Sequence, residues 1–194
     1  MNDMFNYYKQ SCVDNLCAEY MALWRACGND EGELVKLALR QQAIPHLMHY
    51  SYIGKGLSKE YIKERFKTYI NGRRTIQNCD GLVGYTYGIF VDYNGIVGIK
   101  NDVTAFMWCD DVTIIVPKTK CPTIYCGCNT HVHIIGQGYN SLRIYAFDNS
   151  TVCIDDIDEN SNATIFKYSK AVNVSEGDFC MGKVRSFDKE LRLY

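Results

Sequence analysis

Ser141-Leu-Arg-Ile-Tyr-Ala-Phe-Asp-Asn-Ser150, followed at once by Thr151-Val-Cys-Ile154, carries the pattern on which the fold turns. Leu142, Ile144 and Ala146 alternate with Arg143 and Tyr145, the period of a strand with one buried face. Asp148-Asn149-Ser150 then supplies a polar turn, and Val152 and Ile154 start the alternation again. Read outward from here, the same unit recurs from Val103 to Val174. Val103, Val112, Ile124, Val132, Leu142, Val152, Ala163 and Val172 align as first inward positions, about ten residues apart. Strands at that interval fit a β-solenoid, where each coil stacks on the last. They also fit a β-sandwich or barrel. Unit-to-unit similarity favours the solenoid: Thr, His, Arg or Asn recurs after the first apolar residue, and the turns are repeatedly Asp-Asn-Ser-like.

Upstream the period is that of helices. Phe5, Tyr8, Cys12, Leu16, Tyr20, Leu23, Trp24 and Cys27 recur at steps of three and four, and Gly28 offers a stop. Asp30 caps a second helix carrying Leu34, Leu37 and Ala38, which is expected to end before Pro45. Ser58 caps a third, with Ile62, Phe66, Tyr69 and Ile70 on one side and Lys59, Lys63, Arg65 and Lys67 on the other. Asn94-Gly95 between apolar runs reads as a hairpin turn. The expected fold is therefore α+β. An α-helical region spans 1–78, a repetitive β domain of solenoid type spans 79–185, and residues 186–194 form a C-terminal cap. The helices are expected to cover one open end of the stack, because an uncovered end exposes unpaired backbone and apolar surface.

The 194 residues suffice for a sizeable core, and 47% apolar with 22% charged residues excludes a disordered chain. No run approaches the roughly 18 apolar residues of a membrane span, so no membrane partner is expected. The first residues lack the basic and apolar regions of a signal peptide. A reducing, cytoplasmic location is the expectation, with the ten cysteines as free thiols.

The segment Ala146-Phe-Asp-Asn-Ser-Thr-Val152 resembles the tandem A-Y-D-N-S-x-V units of uncharacterised bacterial and prophage-encoded repeat proteins. The resemblance spans roughly residues 102–174, one good copy and several degraded ones. It implies a β-helical stack and a bacterial or prophage origin, and it carries no activity.

Chemistry-bearing residues fall in three places. Cys126, Cys128, His131 and His133 offer the two thiolates and two imidazoles of a tetrahedral zinc site, although their spacing is not that of the usual loops. A period-2 strand would also set these thiols and imidazoles on opposite faces. Asp156, Asp158 and Asn160 begin like a calcium loop, but Ser161 stands where glycine is needed and Lys167 where a bidentate Glu is needed. Lys59, Lys63, Lys67, Arg73 and Arg74, interleaved with aromatics, suit phosphates and bases. No phosphate-binding glycine loop, nucleophile elbow or Cys/His signature occurs, and the reading leans away from an enzyme. No bound cofactor is expected. The leading expectation is a structural or interaction protein that uses Tyr125, His131, His133, Arg143, Tyr145 and Asp148 on the β face, with a protein or a second copy as partner. Carbohydrate binding or processing by the aromatic and acidic residues of that face is the alternative, and nucleic-acid binding by the basic helix a third.

Overall fold

The computed structural model describes residues 3–13, 18–71, 75–76, 83–84, 88–99 and 101–191. The helices are α1 (Asp3–Val13), α2 (Ala18–Cys27), α3 (Glu31–Ala38) and α4 (Ile44–Tyr52). A continuous rod then joins α5 (Lys59–Tyr61), a π segment (Ile62–Phe66) and α6 (Lys67–Asn71). The predicted stops and caps hold. Gly28 has φ +58°, and the Asp30 carboxylate and the Ser58 hydroxyl accept from Glu33 N and Tyr61 N, each at 3.1 Å. The second predicted helix ends at Ala38, before Pro45 as expected. Pro45 itself lies in the first turn of α4, where a missing N–H costs nothing, so it also starts the next helix.

The rest is a parallel β-solenoid. A two-strand antiparallel ladder, β1 (Thr75–Ile76) with β2 (Val83–Gly84), precedes it and lies against β4. One sheet stacks six strands: β3 (Ile89–Val91), β5 (Val103–Met107), β7 (Thr123–Gly127), β9 (Ser141–Ala146), β11 (Asn162–Lys167) and β13 (Lys183–Asp188). The other stacks five: β4 (Gly95–Gly98), β6 (Val112–Val116), β8 (His131–Gly136), β10 (Thr151–Ile157) and β12 (Asn173–Cys180). The chain alternates between them, so the ten-residue unit is half a coil. Asn94-Gly95 is accordingly a corner between sheets, not a hairpin; the Asn94 carboxamide accepts from Asp110 N and Asp111 N of the next coil at 3.1 and 3.3 Å.

Between the sheets run straight apolar columns, Val112–Val132–Val152–Val174 and Ile124–Ile144–Ile165 among them. Of the predicted inward positions, Val103 is misassigned: it registers with outward Thr123, and the inward residue is Thr104, opposite Ile124. Corners are stitched by buried polar side chains. Thr130 and Ser150 donate to Gly127 O and Phe147 O, and Asn140 donates to Pro117 O and Lys120 O. Each serves carbonyls that no strand partner reaches.

The helices lie along the outer face of the six-stranded sheet, not over an open end. Leu47, Met48, Ile62 and Phe66 share a core with Ile89, Val91, Ala105, Met107, Tyr125 and Phe147. The apolar demand of that face explains this: Tyr125, Tyr145, Phe166 and Phe187 stack as an aromatic ladder up its rungs. Ser186 to Asp188, assigned to a cap, are instead part of the last strand.

Candidate functional site

The residues expected to form one β face belong to two. Tyr125, Arg143, Tyr145 and Asp148 come from the six-stranded sheet and its corners, whereas His131 and His133 come from the five-stranded sheet. Tyr125 is buried beneath the helices. Its ring lies 4.8 Å from that of Tyr145, and His49 meets both edge-on at 6.1 Å. Arg143 is exposed. The Asp148 carboxylate is held by Lys59 Nζ at 2.9 and 3.1 Å.

The basic helix has a structural occupation. Successive coils leave the six-stranded sheet through Asp92, Trp108, Cys128 and Asp148, all with φ between +49° and +56°. The rod runs past these corners. Lys67 pairs with Asp92, Lys63 lies 5.4 Å from the centre of the Trp108 ring, and Lys59 pairs with Asp148. Lys67 holds the Asp92 carboxyl below its usual range by hydrogen bonding to its charged form. The π segment fits this task. A four-residue step over-rotates an α-helix and under-rotates the wider π turn, so three lysines four apart stay in line along the solenoid. Arg73 and Arg74 lie outside the described residues.

At the third corner the Tyr52 hydroxyl meets Cys128 Sγ at 3.1 Å while its ring stacks on Phe147. Burial pushes the Cys128 thiol up to about 11 and raises Tyr52 too, so both stay protonated and inert. A side chain at Gly127 would collide with the Tyr52 hydroxyl at 1.8 Å, which makes this glycine the condition for the helix to approach. Cys126 points into the core between the sheets, where burial also raises its thiol. Cys126, Cys128 and the histidines are therefore not brought together. The left-handed turn at Cys128-Asn129 sends Cys128 towards the helices, and His131 and His133 emerge on the far side of the molecule.

The calcium-like loop does not gather its oxygens. Asp156 belongs to β10, while Asp158 accepts from Asn160 N at 2.9 Å in a tight turn before β11.

What stays open is the outer face of the five-stranded sheet. One row across its strands reads Ile96, Thr113, His133, Cys153, Ser175. Beside it lie His131 in register with Thr151, and Ile115 in register with Ile135. These side chains are half-exposed, and Ile96 is 49% exposed. In β10 the register slips between Ile154 and Asp156, and this bulge turns Asp155 back along the strand. Its carboxylate meets His133 Nδ1 at 2.9 and 3.2 Å. Gly177 on β12 accommodates the bulge, because a Cβ there would stand 2.7 Å from Asp155 O. Burial, and the hydrogen bond that the thiol donates to the Asp155 carboxylate, push the Cys153 thiol above its ordinary range. His133, Cys153 and Asp155 are the one group among the described residues whose nitrogen, sulfur and oxygen donors lie within 4.8 Å of one another. Sequence reasoning found the histidine but not its neighbours, since the partners sit one coil away; the coil period of about twenty residues, applied to His133, points to Cys153.

Among the described residues no helix is long and apolar enough to cross a membrane. No protein family, curated protein or solved structure matches this chain.

Proposed function

We propose that this chain is an interaction protein, and that the outer face of its five-stranded sheet receives a protein partner. One observation carries the reading. The two outer faces of the solenoid are unequal: helices bury the aromatic one over its first coils, and the other is left half-exposed with apolar and polar side chains in straight rows. Ile96, Ile115 and Ile135 supply area to bury, while Thr113, His131, His133 and Thr151 supply hydrogen bonds at strand spacing. The face is flat, which suits a protein surface better than a small molecule needing a concave pocket. The ladder of parallel strands fixes the side chains in advance, so little conformational entropy is lost on binding.

The test is comparative capture from cells that express the chain, using wild type, Ile135→Arg and a control, Arg143→Glu, on the opposite sheet. A partner held by wild type and the control, and lost from a normally folded Ile135→Arg, is the expected outcome. Retention by all three proteins would remove this face from consideration.

A further inference from the structure

We infer that His133, Cys153 and Asp155 bind a zinc-class divalent metal ion on the outer face of the five-stranded sheet. Three adjacent features converge there. His133 and Cys153 are direct neighbours across the β8–β10 ladder, so their side chains leave the same face one strand apart. Asp155 would continue outward from β10, but the bulge redirects its carboxylate to the same point. The backbone of β12 makes room for that bulge through Gly177.

The donor atoms are already within 4.8 Å of one another. Bonds of about 2.0–2.3 Å to a tetrahedral ion require a closure of roughly 1 Å, which half-exposed side chains make by rotation. One nitrogen, one sulfur and one carboxylate oxygen form a borderline-soft set. It selects zinc and its neighbours over magnesium or calcium, which want oxygens alone. Binding of the ion replaces the Cys153 thiol proton, which passes to solvent, so occupancy is expected to rise with pH. Three protein donors leave a fourth position directed away from the sheet, open to water or to a side chain of whatever covers the face. The site needs no partner, so it stands or falls separately from the proposed interaction.

Cobalt(II) titration of the isolated reduced chain reads the site directly. One equivalent is expected to give a thiolate-to-metal charge-transfer band that zinc displaces. The band should be absent in Cys153→Ser, at least about tenfold weaker in affinity in Asp155→Asn, and unchanged in Cys121→Ser. Wild type alone provides a second readout: zinc should protect Cys153, and not exposed Cys121, from alkylation mapped by peptide mass spectrometry. Absence of a stoichiometric band, a band that survives Cys153→Ser, or alkylation of Cys153 at the same rate with and without zinc overturns the inference.

Discussion

His49 is ringed edge-on by Tyr125, Tyr145, Phe147 and Tyr168, at centroid distances of 5.3 to 6.1 Å. An imidazole so enclosed resists charging, and burial lowers its pKa from 6.5 to about 4. Acid therefore protonates the unfolded chain first. The stability that a neutral His49 represents is fully present above about pH 6.5 and declines as pH falls from there towards 4. The whole difference is about 3 kcal/mol, from roughly 1.4 kcal/mol per pKa unit. Urea unfolding at pH 7.5 and 4.5 is expected to show wild type losing about 2.5 kcal/mol more than His49→Leu over that range, the remainder being lost at lower pH. Equal losses would mean that this imidazole is not the acid-sensitive group.

The rod of α5, the π segment and α6 shows how one element takes its meaning from another. In the sequence Lys59, Lys63 and Lys67 are a basic stripe, open to nucleic acid as well as to solvent. In the fold each faces a different corner of the solenoid. Exposed ion pairs contribute little singly, roughly 0–1 kcal/mol each. Replacing all three lysines by Gln should therefore loosen the helices rather than unfold the molecule. Limited proteolysis is expected to cut the helical layer faster in the triple variant while fragments spanning residues 103–188 persist; an unchanged cleavage rate would show that the stripe does not hold the layer down. The same element marks the boundary of legibility. Alternation at Leu142, Ile144, Val152 and Ile154 gave the strands and their buried face, because that pattern is local. Ser58 and Asp30 gave caps for the same reason. Where the helices pack was not legible, since it depends on Tyr125 and Tyr145 pairing across a coil and on Gly127 lying beneath Tyr52. Nor was the meeting of Cys153 and Asp155 with His133, which needs both the coil period and a bulge that no alternation pattern announces.

As a whole the molecule is a short stack whose two ends differ. The last coil, β12 with β13, has no strand beyond it among the described residues, and Phe179 and Met181 lie 73% and 69% exposed near it. Such an edge invites another chain. The column Ile114–Ile134–Ile154 nevertheless ends in Glu176, and the column of Ile144 and Ile165 ends in Ser186. A carboxylate in an inward register makes a further coil costly to stack, since its charge would have to leave water. Glu176→Ile removes that obstacle and is expected to shift the protein to larger species in sedimentation velocity, at concentrations where wild type sediments unchanged. Identical profiles would assign the resistance to association to some other feature of the end.

The ties between helix and corner also set a schedule for synthesis. Tyr52 meets Cys128 across 76 residues of chain, and Lys59 meets Asp148 across 89. On a ribosome the helices emerge first, with Leu47, Ile62 and Phe66 lacking the surface they are built to cover. At about 5–20 residues per second, the interval before the fourth corner exists is roughly 5–18 s. During it the amino-terminal third shows water an apolar surface that the finished coils later cover, which is the surface chaperones recognise.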